Sequence, residues 1–429
     1  MATTASSPHQ TATAALPLEP FARDLHFPTS ITFDNQGQLY VAESGLPFAG
    51  APSGGRIWHI GPDGCRSLLA DGLRTPVTGL TCHEGGLYIS EGGQPGRILR
   101  LALDGGPLDI VLDHLPGGGN YQTNMTAFGP DGRLYFSQGA ATNTSIIGLD
   151  ALDIGWLKKI PHPIDIPGLD VELTGVRART DNPLEQGTTA VTGPFAQFGT
   201  AHPAGTRIPA ELPCTSAVMS CEPDGSDLKL VAWGLRNAFG LLFLPDGRLL
   251  ATDQGADDRG SRPVGNVPEL LFEVREGAWY GWPDFIGGIP ISDARFTPEQ
   301  GDAPGFVLAN HDELPTPQEP LAAFAPHASA VKMDHTPDGR ILVALFGDEI
   351  PMTAPSGPRA GRGFALVDPA DWSSTTLASP LHRPIDVRFG PDGYLYALDF
   401  GHFEPGKGTV DASAGSGAVW RMPWRARPW

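Results

Sequence analysis

The sequence predicts an all-β chain folded as a six-bladed β-propeller, and three observations lead there. The tripeptide Pro-Asp-Gly recurs between apolar runs at 62–64, 130–132, 223–225, 245–247, 337–339 and 391–393. Similar segments return along the chain at blade-sized spacing. Between them lie short β-like runs with almost no helical periodicity. Each Pro-Asp-Gly reads as a hairpin turn. Proline presets the first turn angle, aspartate can bond its own backbone, and glycine accepts the positive φ that closes the turn.

The blades follow in order. Segments 28–33, 76–81, 122–128, 236–241, 327–332 and 383–388 align as the first strand of each unit. A turn and a strongly β-like run follow each of them, at 38–42, 86–90, 133–136, 248–251, 340–344 and 394–398. A second hairpin is expected from the runs 56–60, 97–101, 217–220, 270–274, 364–367 and 418–422. Residues 16–25 are expected to supply the outer strand of the last blade, closing the ring and protecting the edges an open sheet would expose. The expected organisation is a disordered tail over 1–18 and one propeller domain over 19–429. The repeat breaks over about 139–213, in the third blade, and again over about 280–326. Loops of that length in a compact domain are usually functional or disordered. Both are read as excursions on the channel face that wall a pocket.

Composition narrows the function classes. The 429 residues carry a formal net charge of -19, which argues against nucleic acid and anionic membrane surfaces as partners. No run of about 18 apolar residues exists to span a bilayer. The Ala/Thr/Ser-rich start lacks the basic and apolar regions of a secretory signal. It reads as a disordered tail or as the remnant of a removed signal. Four cysteines are too few for a disulfide scaffold and lack metal-finger spacing. Cys214 and Cys221 could pair, or could equally be small core residues.

Propellers bind ligands at the channel mouth, where the inner strands begin. The residues placed there are polar and unusual for buried sheet: Gln122, Thr123, Asn124, Arg236, Asn237, His327, Ser329, His382, Arg383 and Asp386. Arg236 and Arg383 converging on one channel would repel unless an anion or carboxylates lie between them. One reading is a polyanionic small molecule held flat by forked guanidinium groups. The other is that each arginine pairs with a nearby Asp253 or Asp386 and ties blades together. The acidic stretch 253–258 could bind calcium through carboxylates and carbonyls, or could be a solvated turn. His327 and His382 could act as general bases. The sequence contains no Gly-x-Ser-x-Gly elbow, no P-loop and no dinucleotide fingerprint.

Several segments resemble the glucose/sorbosone dehydrogenase family. They are Trp233-Gly234-Leu235-Arg236-Asn237-Ala238-Phe239-Gly240, Gly255-Ala256-Asp257-Asp258-Arg259-Gly260-Ser261-Arg262-Pro263, Trp279-Tyr280-Gly281-Trp282-Pro283-Asp284 and Val343-Ala344-Leu345-Phe346-Gly347. The resemblance implies a six-bladed propeller that uses pyrroloquinoline quinone (PQQ) with calcium to oxidise a sugar, aldehyde or alcohol. Arg236 would hold a cofactor carboxylate with Asn237 beside it, and Arg383 would face another. Gln122 and Asn124 would complete the cofactor pocket. The carbonyls of Gly255 and Ala256 would point at the calcium, with Asp253 nearby. The family's basic histidine is replaced by Tyr121, so Tyr121 or His327 is the expected group near the substrate. Ile385 stands where a second arginine is common. The resemblance implies a location outside the cytoplasm, but no export signal is visible and a cytoplasmic location stays open, as does the oligomeric state. Two other functions also stay open. One is a calcium-dependent hydrolase, lactonase or lyase, with Asn124, Asn237 and Asp253 around the ion and a histidine as base. The other is a non-catalytic propeller that binds a small molecule or a protein.

Overall fold

The structure is a computed structural model and describes residues 14–104 and 106–424. Six antiparallel sheets stand around a central axis. From the axis outward, the first blade is Pro28–Phe33, Leu39–Glu43, Gly55–Ile60 and Arg66–Leu73. The second is Val77–His83, Gly86–Glu91, Gly96–Ala102 and Leu108–Leu115. The third is Thr123–Phe128, Leu134–Gln138, Ala217–Cys221 and Lys229–Trp233, with Ala278–Trp279 added in parallel at its edge. The fourth is Ala238–Phe243, Leu249–Asp253, Glu269–Val274 and Ala322–Phe324. The fifth is Ala330–His335, Ile341–Leu345, Gly363–Val367 and Ser374–Ala378. The sixth is Pro384–Phe389, Tyr394–Asp399 and Gly417–Pro423, completed by Glu19–Leu25 from the other end of the chain. That strand closes the ring as the sequence predicts.

The Pro-Asp-Gly turns work as their chemistry demands. Asp63, Asp131, Asp224, Asp246 and Asp392 each accept the N–H of the residue two further on. The glycines of all six turns have φ between 79° and 90°. Alternating apolar side chains on the sheets meet between blades. Ile31 and Val41 of the first blade pack with Val387, Leu395 and Ala397 of the sixth, all buried. Burying one such aliphatic side chain contributes about 1.5–3 kcal/mol.

A second device repeats at the axial end of the blades. Each second strand ends opposite the start of its inner strand, in the pairs Pro28↔Glu43, Val77↔Glu91, Thr123↔Gln138, Ala238↔Asp253, Ala330↔Leu345 and Pro384↔Asp399. In four blades the residue there is acidic and accepts backbone N–H groups of the segment leading into the inner strand. Glu43 takes His26, Glu91 takes Arg74, Asp253 takes Arg236 and Asn237, and Asp399 takes His382 and Arg383. These carboxyls orient the lead-in segments, and in the fourth blade that segment carries Arg236 and Asn237 to the channel mouth.

Below the mouth the axis is plugged by polar groups. Lys332, 1 % exposed, reaches from the fifth blade across the axis. Its Nζ donates to the carbonyls of Thr29 (2.6 Å) and Thr78 (2.7 Å) in the first and second blades. Asp386 accepts from Ser30 Oγ and the Ile31 N–H, tying the sixth blade to the first.

Two expectations are corrected, and one open alternative is decided. Residues 1–13 of the expected tail lie outside the described residues, but Ala14–Ala15 already pair with the outer strand of the fifth blade and Leu16 is buried. The excursion over 280–326 does not wall the main cavity. It packs at the side of the fourth blade, where Arg262 holds Asp284 at 2.7 Å. Cys214 and Cys221 are buried and unpaired. No helix among the described residues is long and apolar enough to cross a membrane.

Candidate active site

The inner strands of all six blades begin around one cavity of about 640 Å³ at the axial mouth. That is the size range of small-molecule sites. Thr29, Thr78, Gln122, Asn237, Ser329 and Ile385 mark the six blades on its wall. The insertion of the third blade adds Leu152, Asp153 and Lys159, from its short helix Asp150–Asp153 and the turn after it. The hairpin Phe403–Gly406 with Thr409–Ala412 also lines it, with Phe403 clustered against Phe48, Phe346 and Phe400. The lining therefore combines an aromatic cluster with polar and charged side chains.

Arg236 lies at the floor, 3 % exposed, under the Tyr121 ring at 4.6 Å. All five of its N–H groups are used. Nε donates to the Asn143 carbonyl, Nη1 to the carbonyls of Gln254 and Gly255, and Nη2 to Asn143 Oδ1 and Asp257 Oδ2. Asp257 also pairs with Arg259 at 3.0 Å, and Arg259 with Asp150 at 2.6 Å. Burial opposes charge on Asp257, but Arg236 and Arg259 together hold its carboxyl below the usual range. Burial raises Asp150 against the pull of Arg259. Arg259 differs from Arg236 in having N–H groups to spare. Beyond its two carboxylates it has a single long contact, to Tyr121 Oη at 3.4 Å, and it faces the cavity.

The expected site residues separate into two groups. Tyr121, Gln122, Arg236, Asn237, Gly255 and His327 line the cavity. Asn124, Asp253, Ala256 and Arg383 do not. Asn124 lies beneath the wall, fully buried, with Nδ2 on Asn237 Oδ1 at 2.8 Å. Arg383 is 0 % exposed and donates to the carbonyls of Phe403, Gly347 and Asp348 and to Glu404. It braces the loops that carry the aromatic wall and offers no fork to a ligand. Burial lowers its pKa, against the pull of Glu349 and Glu404. His382 is exposed and off the cavity.

The groups at Gly255 do not suit calcium in the way the resemblance implies. The Gly255 carbonyl accepts from Arg236, so an ion there would lie against a guanidinium. A Cβ at 255 would stand 2.7 Å from the Pro268 carbonyl, so glycine is needed for this close approach. Ala256 is buried away from the cavity, and Asp253 is the repeat carboxyl of the fourth blade, pushed up to about 7 by burial. No group of three or more His, Cys, Asp or Glu side chains among the described residues could hold a metal ion.

Tyr121 is pushed up to about 12, chiefly by burial, so near neutral pH its hydroxyl can donate a proton in a hydrogen bond but cannot serve as a base. His327 and Ser329 have φ of 62° and 50°, a left-handed backbone that is uncommon outside glycine. Such strain concentrates at functional sites. Three carboxyls on the wall, Asp153, Glu269 and Glu349, are absent from the sequence-based candidates. Glu269 is pushed up to about 8 by burial.

No family model and no curated protein matches the chain. Solved structures do match in fold. An oxidoreductase (glucose dehydrogenase) from Thermus thermophilus aligns with a TM-score of 0.58 at 18% identity, over 95% of this chain and 99% of that one. The PQQ-bound aldose sugar dehydrogenase of Streptomyces coelicolor aligns at 0.56 and 14% identity, over 96% and 98%. The holo PQQ domain of pyranose dehydrogenase from Coprinopsis cinerea aligns at 0.55 and 14% identity, over 98% of each chain. Over nearly its whole length, the chain shares the six-bladed β-propeller fold of these sugar dehydrogenases.

Proposed function

We propose that the chain is an oxidoreductase that removes a hydride and a proton from a carbinol or hydrated aldehyde carbon of a small sugar-like substrate, using a flat anionic quinone of the PQQ kind as acceptor. The observation that carries this reading is the cavity at the axial mouth, whose lining combines an aromatic cluster with unpaired cationic donors. Phe346, Phe400 and Phe403 line it and supply apolar surface for a planar ring system. The cavity also offers the spare N–H groups of Arg259 and the exposed ammonium of Lys159, which has no ion pair among the described residues. Forked guanidinium groups match carboxylates.

In this reading Arg259 and Lys159 hold the acceptor's carboxylates, and Tyr121, Asn237 and Gln122 hydrogen-bond its edge or the substrate. Arg236 supplies positive charge from beneath and positions Asp257 and the 254–257 loop rather than gripping the ligand itself. The quinone, when bound, would accept the two electrons that leave with the hydride. The aromatic cluster excludes water where it lines the cavity, which strengthens every charge interaction within. Calcium has no assigned role here.

The test is a thermal melt of the purified chain with and without PQQ, in buffer containing chelator, followed by bleaching of a redox dye with a panel of aldoses and simple alcohols. A ligand that binds only the folded state raises Tm. A rise in Tm together with sugar-dependent bleaching supports the reading. Unchanged Tm and no bleaching refute it.

A further inference from the structure

Four carboxyl side chains reach the cavity wall: Asp153, Asp257, Glu269 and Glu349. Two are accounted for by their partners. Asp257 is spent on Arg236 and Arg259. Glu269 lies against Gly255, whose N–H it accepts at 3.4 Å. Asp153, at the end of the short helix of the insertion, makes no side-chain hydrogen bond or ion pair with another described residue. Glu349 follows the second strand of the fifth blade and is half-buried. Its carboxyl makes no hydrogen bond or ion pair with another described residue.

Apart from Arg259, which keeps spare N–H groups, the cations nearby are already committed. Arg359 and Arg362 pair with Asp348 and Glu404, and Arg383 is taken by carbonyls and Glu404. Glu349 is thus an unpaired carboxyl on the wall of a ligand-sized cavity. The groups that bear on it are Arg383, Asp257, Arg259 and Asp348, and it bears in turn on Tyr121. Low-dielectric surroundings push its ionisation above the usual carboxylate range, against the pull of Arg383 and with the help of Asp257. Tyr121, on the same wall, holds its own proton far too tightly to be the base. His327 also lines the wall, at a position of strained backbone.

We propose that Glu349 is the acid–base residue of the cavity and takes the hydroxyl proton of the substrate. This role rests on the oxidoreductase reading above. In the step the C–H and O–H bonds of the carbinol break and C=O forms. The electron pair leaves with the hydride to the quinone acceptor, which is reduced by two electrons. The proton goes to the Glu349 carboxylate and then to water at the mouth. The base form grows as pH rises through the raised ionisation of Glu349, so the rate of substrate oxidation rises over the same range.

Two measurements test it. The first is single-turnover reduction of the quinone-loaded protein by aldose across pH, in wild type, Glu349→Gln and His327→Gln. Glu349→Gln is expected to lose about 10²–10⁴-fold in rate, with quinone affinity unchanged and the pH-dependent limb gone. Retention of rate and limb in Glu349→Gln, or loss of the limb in His327→Gln alone, overturns the role while leaving the redox reading in place. The second uses quinone-free protein: an infrared titration of the carboxylic C=O band, wild type minus Glu349→Gln. The band is expected to vanish with a midpoint above the ordinary carboxylate range, and a midpoint inside that range overturns the assignment. Absence of quinone binding by wild type removes the redox reading and this role together.

Discussion

Asp257 Oδ2 stands 2.6 Å from Arg236 Nη2 and 3.0 Å from Arg259 Nε, so one carboxylate oxygen holds two guanidinium groups together at the cavity floor. All three side chains are largely shut off from water. Removing one partner of a buried set leaves charge uncompensated, at a cost of about 3–5 kcal/mol. Asp257→Asn is therefore expected to destabilise the chain by about that amount in urea unfolding. A loss below about 1 kcal/mol, the range of exposed pairs, would show that the three do not act as a buried unit.

Lys332 gives a prediction in pH. Burial pushes it down to about 7, against the pull of Asp386. In the unfolded chain its amine titrates near 10.4, so between these values the unfolded state binds more protons. Stability from this group therefore rises with pH above about 7, by up to about 1.4 kcal/mol per unit. The buried thiols Cys82, Cys214 and Cys221 act oppositely once unfolded cysteine begins to ionise near 8.5. The informative quantity is the stability of wild type minus Lys332→Met between about pH 7 and 8.5. It should climb with pH, and a flat difference would show that Lys332 is not titrating in the folded axis.

Glu269 has the opposite sign. Its folded value of about 8 lies above that of an unfolded glutamate, so the folded state binds the extra proton and stability from this group falls as pH rises toward 8. Glu269→Gln mimics the protonated form. The variant should match wild type below about pH 4 and be more stable than wild type at pH 9. Equal stability at both values would place Glu269 in the ordinary carboxylate range.

Lys159 is exposed and unpaired among the described residues, so its contribution to an anionic ligand is a screened surface interaction. Lys159→Ala should weaken quinone binding by about 0.2–1 kcal/mol, a few-fold in Kd, with unchanged Tm of the ligand-free protein. The difference should fade at high salt. Salt-independent loss would mean that Lys159 acts through packing.

The repeat was legible because the turn chemistry is local. Each Pro-Asp-Gly carries its own hydrogen bond and its own positive φ, so position in the chain hardly matters. The channel positions of Gln122, Arg236, Asn237 and His327 followed from that repeat. Donor accounting was not legible. Arg236 and Arg383 hold equivalent places before their inner strands, yet Arg236 reaches the floor and Arg383 is consumed by Gly347, Asp348, Phe403 and Glu404, all distant in sequence. Asp253 looked like a calcium ligand because acids cluster over 253–258. Aligning the ends of the second strands would have shown it as the counterpart of Glu43, Glu91 and Asp399. The aromatic hairpin Phe403–Gly406 with Thr409–Ala412, and Glu349, lie in loops outside the repeat, where periodicity carries no information.

The central claim is that the axial mouth binds a flat anionic quinone through Arg259 without help from calcium. Isothermal titration of PQQ into the chain, in chelator-containing buffer, tests it most directly, with Arg259→Gln checked for folding and run alongside. One quinone per chain with wild type, and at least tenfold weaker binding (about 1.4 kcal/mol) with the variant, is the expected result. No binding heat with wild type, or binding that appears only when calcium is added, would contradict it.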